Sequence, residues 1–325
     1  MIQQSSMHFL ESVQNSKYNQ WYKYLAIILL TLVGGQLLGV IPLAAFTIYK
    51  GVEAGEMNSM ENGIDLSMFG VSHTVTLVFI LIPFLVSFLF YVLFFKTIHR
   101  RSWLTSINGT KSIRWKRFFL GVGVWGLLSL LLFLLSYFLN PEDFVVQFDI
   151  KKWVPLLVVS VLFIPIQTTY EELLFRGYLA QGVGSIFRNR ILVILLPSIG
   201  FALLHAFNPE IEKYGFWIMM PQYFTIGATY AIISVLDDGI EIAMGAHAIN
   251  NVFAAVMLNY EGGALMTDAA FLQKDLNPSS ELIGLLIISA LLCWVLGRFL
   301  KWDWSILFKK IHRVETESEV NIPPT

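Results

Sequence analysis

Eight stretches of the chain stay apolar for close to the roughly 20 residues that cross a bilayer as helix. They are 24–49, 70–96, 117–138, 153–170, 191–207, 217–236, 241–259 and 282–300. This pattern predicts an all-α fold, a polytopic membrane helix bundle of about eight transmembrane helices. The fourth stretch is expected to continue as helix beyond 170 into a charged segment. Residues 1–22 are polar with scattered aromatics and read as an N-terminal interfacial segment. Residues 314–325 are polar, end in Pro-Pro-Thr and read as a disordered tail. The N-terminus has no basic region followed by a small-residue cleavage site, so the first apolar stretch is read as a retained span.

Charge in the connecting loops orients the spans. Residues 96–117 carry Lys96, Arg100, Arg101, Lys111, Arg114, Lys116 and Arg117. Such a loop is expected in the cytoplasm. Arg188 and Arg190, and the basic residues from Arg298 to Arg313, fall on the same side if both termini are cytoplasmic. The loops 50–69 and 260–281 each hold a single lysine, and the 237–241 turn has no basic residue to weigh. Trp153, Trp217, Trp294, Trp302 and Trp304 lie near span ends, where interfacial aromatics belong. No internal repeat of the kind inverted-repeat transporters carry is visible.

Composition agrees: 56% of residues are hydrophobic and 14% charged, against about 25% charged in soluble domains. The formal net charge of −1 and the absence of a basic arm exclude nucleic acid as a partner. The single cysteine, Cys293, excludes an internal disulfide and a cysteine-based metal cluster, and its apolar setting suits packing. The expected localisation is multi-pass in a bacterial plasma membrane, with lipid as an obligatory partner.

Charge inside the apolar stretches is what needs a cause, because one ionised side chain at mid-membrane costs roughly 2.5–3.5 kcal/mol. Glu171, Glu172 and Arg176 follow the fourth stretch directly. Glu172 and Arg176 are four apart in the favourable order and are expected to pair. Glu171 is turned by about 100° from its neighbour and is left to face a cavity as a general base. The competing interpretation is an ordinary charged helix at the headgroup level. His205 ends the fifth stretch in Phe201-Ala-Leu-Leu-His205, and His247 and Asn251 stand four apart in the seventh. Each histidine taken alone reads as a satisfied interhelical hydrogen bond.

Spacing joins these sites. If Arg188 is the tip of a helical hairpin, Glu171 and His205 are equally far from it and sit at one depth on antiparallel neighbours. His247 and Asn251 on a third helix then supply hydrogen-bond donors around the same space, a set suited to polarising water and stabilising an oxyanion. No H-E-x-x-H, G-x-S-x-G, P-loop or G-x-G-x-x-G is present. His8, His99 and His312, in termini or loops, and His73, at a span end, are read as solvated or interfacial.

In sequence order, Glu171-Glu172-x-x-x-Arg176, Phe201-x-x-x-His205 and His247-x-x-x-Asn251 resemble the CPBP family: the type II CAAX prenyl proteases and their bacterial Abi-like relatives. The resemblance covers roughly 150–255 and shows no departure at the motif positions. It implies an intramembrane endopeptidase of about eight helices, whose relatives have been described both as metalloproteases and as metal-independent glutamate proteases. By similarity Glu171 is the base and His205 helps to activate water. His247 and Asn251 look like the oxyanion side, and Glu172 and Arg176 support the site. The expected division is thus 1–22 interfacial, 23–150 three transmembrane helices with loops, 151–260 catalytic core, 261–313 last transmembrane helix and cytoplasmic end, and 314–325 tail. The substrate implied is a membrane-associated or lipidated peptide or protein. One Glu and two His, namely Glu171, His205 and His247, are a conceivable zinc set. Asn is a poor zinc ligand, which favours a site with no required cofactor.

Two other classes compete. One is a non-catalytic immunity or scaffold protein with a buried polar network. The other is a proton-coupled transporter, which the missing repeat and the clustering of charge in one half of the chain disfavour.

Overall fold

Each apolar stretch is a helix in the structure, a computed structural model that describes residues 9–14, 16–54, 66–274 and 276–312. His8 and the expected tail at 314–325 lie outside the described residues. The helices are α1 (Trp21–Glu53), α2 (His73–His99), a short α3 (Thr105–Asn108) and α4 (Trp115–Leu139). They continue with α5 (Ile150–Phe187), α6 (Arg190–Leu204) and a short α7 (Pro209–Tyr214). The last three are α8 (Phe216–Leu236), α9 (Glu241–Val256) and α10 (Pro278–Leu300). Among the described residues the protein is a helical polytopic bundle.

Six of these helices, α1, α2, α4, α5, α8 and α10, are long and apolar enough to cross a membrane. The fifth and seventh stretches give shorter helices, α6 of 15 residues and α9 of 16. A 15-residue helix rises only about 22 Å, short of the roughly 30 Å hydrocarbon core. Their environment explains the difference: Glu241 to Ala248 of α9 are all buried in protein. Two glycines let α9 lie directly on α4. A Cβ at Gly245 would stand 2.0 Å from the Phe118 carbonyl oxygen, and one at Gly121 would stand 2.2 Å from that of Ile242. Small residues at such contacts are how membrane helices approach closely.

α5 runs unbroken through the charged segment, as expected, but its Leu173–Leu179 portion is π-helical. Such wide turns often mark functional sites, and this one begins directly after Glu172. The chain then reverses at Arg188, which adopts left-handed backbone (φ 51°), and Asn189 caps α6 by accepting from the amides of Ile191 and Leu192. This is the hairpin tip that the spacing requires. The Phe175 and Phe201 rings, equally far from Arg188 in sequence, meet across it at 5.5 Å.

The basic segments gather at one end of the bundle. Arg114 Nη2 lies 2.6 Å from Glu241 Oε2 and 3.2 Å from Asp237 Oδ2. The turn that carries no basic residue therefore supplies the counter-charges. Burial pushes the Asp237 carboxyl pKa up, against the pull of Arg114. Arg190 pairs with Glu11 and donates to the carbonyls of Lys309 and Lys310. Phe9, Leu10 and Val13 are buried here, so residues 9–13 plug this end of the core rather than lying along its surface. His99 departs from the solvated role expected of it. It is 1% exposed and bonded through Nε2 to the Tyr178 hydroxyl at 2.7 Å. His73 is half-buried, 3.4 Å from Asp268.

The opposite end carries a small sheet that hydropathy alone does not foresee. Strands β1 (Phe144–Val146), β2 (Leu258–Tyr260) and β3 (Phe271–Gln273) are ordered β1-β3-β2. β3 pairs antiparallel with β1 (Phe144 opposite Gln273) and parallel with β2 (Leu258 opposite Phe271). It ties the loop after α9 to the loop after α4.

Candidate active site

Two consecutive carboxylates on α5 hold one imidazole from α9. Glu172 Oε1 accepts from Arg176 Nη1 at 2.9 Å and from His247 Nδ1 at 2.7 Å. The other ring nitrogen, Nε2, lies 3.6 Å from Glu171 Oε2. Neighbouring helical residues diverge by about 100°, and an imidazole presents nitrogens on two sides, so one ring can face both carboxylates. The Glu172–Arg176 pair expected from spacing is present, with both side chains at 0% exposure. His247 as a second partner of Glu172 was not foreseen. With Nδ1–H committed to Glu172, neutral His247 keeps a lone pair on Nε2, and cationic His247 aims an N–H at Glu171.

Around this bridge lie polar atoms with no hydrogen-bond partner among the described residues: Glu171 Oε2, Glu172 Oε2, Arg176 Nε and Nη2, and the Tyr230 hydroxyl. The Arg176 guanidinium stacks on the Phe201 ring, 4.2 Å from its centroid, and lies 5.7 Å from that of Tyr230. Gly227 leaves it room, since a Cβ there would sit 3.4 Å from Nη2. Burying a cation this deeply is tolerable because a carboxylate and two aromatic faces meet it.

His205 closes α6. Its Nδ1 is 2.8 Å from the Phe201 carbonyl oxygen, a geometry in which Nδ1–H donates and Nε2 stays available. Its ring stacks on Tyr223 at 4.4 Å and 27°. The Tyr223 hydroxyl donates to Glu210, a 2% exposed carboxylate that also accepts from Asn208 Nδ2 at 3.3 Å. Among the described residues His205 makes no polar contact with Glu171 or His247. Phe201 joins them instead, its ring 4.6 Å from that of His205 and 6.0 Å from that of His247.

Asn251 is set by a chain of amides. Trp125 Nε1 donates to Asn250 Oδ1 at 3.0 Å, Asn250 Nδ2 donates to Asn251 Oδ1 at 3.0 Å, and Asn251 Nδ2 donates to Gln167 Oε1 at 3.3 Å. Each amide is thereby oriented by the one before it. Gln167 and Asn250 could have been found by the rule that marked the histidines, being polar side chains within apolar stretches. Glu210 lies just past a span end, where a carboxylate draws no notice. Trp125, Tyr223 and Tyr230 carry no signal in a chain this rich in aromatics.

Among the described residues no three His, Cys, Asp or Glu side chains converge in a way that could hold an ion. Of the conceivable set, His247 has Nδ1 on Glu172, and the His205 and His247 rings each pack on Phe201.

Over residues 150–253 the chain matches a family model described as Rce1-like, type II CAAX prenyl endopeptidase. The matched span holds all three motifs. The chain is also 31% identical over 160 residues to a Bacillus subtilis (strain 168) protein named "Uncharacterized protein YyaK". That alignment covers 49% of this chain and 53% of the relative, so the chain spans about half the length of the curated relative it matches. No solved structure matches.

Proposed function

Residues 150–253 belong to the Rce1-like type II CAAX prenyl endopeptidase family, and on that premise we propose that the protein is an intramembrane endopeptidase. It hydrolyses a peptide bond of a membrane-associated or lipidated, CAAX-like substrate. The observation that carries this proposal is the His247 imidazole between the Glu171 and Glu172 carboxylates.

In the proposed reaction Glu171 takes a proton from water, with His205 helping to orient it. The water oxygen adds to the scissile carbonyl carbon. Negative charge then develops on the carbonyl oxygen, where the Nε2–H of His247 in its cationic form and Asn251 Nδ2–H donate to it. As the C–N bond breaks, the proton held by Glu171 passes to the departing amine. Glu172 keeps His247 in its donor orientation, and Arg176 neutralises Glu172.

Purified protein is assayed on a prenylated peptide beside Glu171→Ala and His205→Ala. Each substitution is expected to lower the rate about 10²–10⁴-fold. Equal cleavage by the wild type and both variants removes the proposal. Activity is also expected to survive chelation. Stoichiometric zinc whose removal abolishes cleavage would refute the metal-independent form.

The completely buried Glu172–Arg176 pair favours one rival, a non-catalytic immunity or scaffold protein in which the network only sets helix register. Under that alternative Glu171→Gln lowers the detergent melting temperature. Under the enzyme proposal it spares the fold and removes cleavage. The basic end, with both termini, is proposed to face the cytoplasm, which reporter fusions at each terminus would test.

A further inference from the structure

Along the outer face of α10 runs an open groove of about 810 Å³ that shares no residue with the candidate active site. Its helical lining follows one stripe: Ala290, Cys293, Trp294, Gly297, Arg298 and Lys301, the three-and-four spacing of a single face. The stripe is graded along its axis. Small apolar residues begin it, tryptophan and glycine form its middle, and two cations close it at the basic end of the bundle. From Ala290 to Lys301 the rise is about 16 Å.

The far wall comes from the chain beyond α10. Trp304 folds back against Gly297, where a Cβ would lie 2.9 Å from Trp304 Cζ2. Any larger residue at 297 would displace that wall. Trp302 is held by Asp237 through Nε1 at 3.2 Å. Among the described residues no carboxylate lines the groove. The nearest in sequence, Asp303, is occupied by Lys309 Nζ at 2.7 Å and by Ser305. Arg298 and Lys301 have no hydrogen-bond or ion-pair partner among the described residues. Cations complement a helix C-terminus, which accounts for two charges there but not for a groove with a wall folded over it.

We propose that this groove is a binding site for an anionic glycerophospholipid, with the phosphodiester between Arg298 and Lys301 and an acyl chain along Trp294, Cys293 and Ala290. Such a ligand matches the axial order of the lining: charge at the interface, indole at the glycerol level, apolar surface towards the bilayer interior. An open groove on the outward face of a membrane helix is also where a lipid can enter laterally. The assignment is independent of proteolysis.

The full chain is reconstituted in phosphatidylcholine nanodiscs containing phosphatidylglycerol, with dibrominated acyl chains on one lipid or the other. Bromine quenches indole on contact, and the Trp294→Phe/Trp304→Phe double variant supplies the signal of the remaining tryptophans. Brominated phosphatidylglycerol is expected to quench the Trp294–Trp304 component on the order of tenfold more effectively per molecule than brominated phosphatidylcholine. Arg298→Gln with Lys301→Asn should bring that ratio near one. Asn is chosen because Lys301 sits at φ 56°, which Asn tolerates. Arg298→Gln alone, at an exposed helical position, should lower the ratio partway should the double variant misfold. Equal quenching by the two lipids in the wild type overturns the proposal, and so does a preference that survives the substitutions. A preference equally strong at the exposed Trp115 would mean diffuse attraction to the basic end and would also overturn it. Millimolar inorganic phosphate should leave the preference intact. Its loss would mean a bare phosphate site and no lipid site.

Discussion

His247 Nδ1 lies 2.7 Å from Glu172 Oε1, and the same oxygen meets Arg176 Nη1 at 2.9 Å. One carboxylate oxygen thus serves a structural cation and a candidate catalytic imidazole together. Glu172→Ala is expected to cost about 3–5 kcal/mol, because it leaves Arg176 charged and unpaired in the interior. Glu172→Gln keeps an acceptor for His247 and should cost less stability while still depressing cleavage. Detergent melting curves and single-turnover rates for the two variants separate the roles. Identical losses in both measurements would show that the link to His247 has no part in the reaction.

The α4–α9 contact offers a second prediction. Gly245 stands two residues before His247, with the Phe118 carbonyl against it. Gly245→Val cannot be accommodated without moving α9 and its imidazole, since a Cβ would sit 2.0 Å from that oxygen. Overpacking of this kind costs about 1–3 kcal/mol, occasionally more. Activity should fall further than the melting temperature alone explains. Gly123, with nothing within 4 Å of its would-be Cβ, is the control: Gly123→Ala should be neutral or slightly stabilising, as removing a helical glycine usually is.

Trp125 stands at the head of the amide chain that orients Asn251. Trp125→Phe keeps most of the apolar volume and removes the donor to Asn250. With that donor gone, Asn250 is free to flip and no longer dictates which face Asn251 presents. The expected result is a lower kcat at similar KM, with the melting temperature down by no more than the loss of one buried hydrogen bond, about 1–3 kcal/mol. A change in KM alone would contradict a role in transition-state stabilisation.

The stacking of His205 on Tyr223 predicts a positioning role for two residues outside the motifs. Tyr223→Phe preserves the ring stack but deletes the hydroxyl that donates to Glu210. Glu210→Gln removes the charge and keeps an acceptor. Both variants are expected to lower kcat across the pH–rate profile while the fold is retained, because the ring that stacks on His205 is no longer held by Glu210. Unchanged profiles in both would reduce the pair to packing.

Helix content, the bilayer setting, the Glu172–Arg176 pair and the reversal at Arg188 were all legible along the chain. Each depends on spacing within a helix, or between two helices joined by one tight turn. A lone local period of three to four residues carries that information. The 237–241 turn gave no sign of its side until Asp237 and Glu241 were seen against Arg114, because a counter-charge is defined by its partner. His99 was misjudged for a related reason. Its place in a basic loop implied water, and burial under Tyr178 and the N-terminal segment comes from residues far away in sequence.

The order of charges and apolar runs therefore determined that this is a membrane helix bundle with ionisable groups that must be accounted for. Only tertiary packing decided that His247 would bridge Glu171 and Glu172, and that His205 and His247 would both pack on Phe201 with no hydrogen bond between them among the described residues. Helical periodicity states which way a side chain points from its own axis. How closely two axes approach depends on carbonyl–glycine contacts such as Phe118 with Gly245, which no periodicity records.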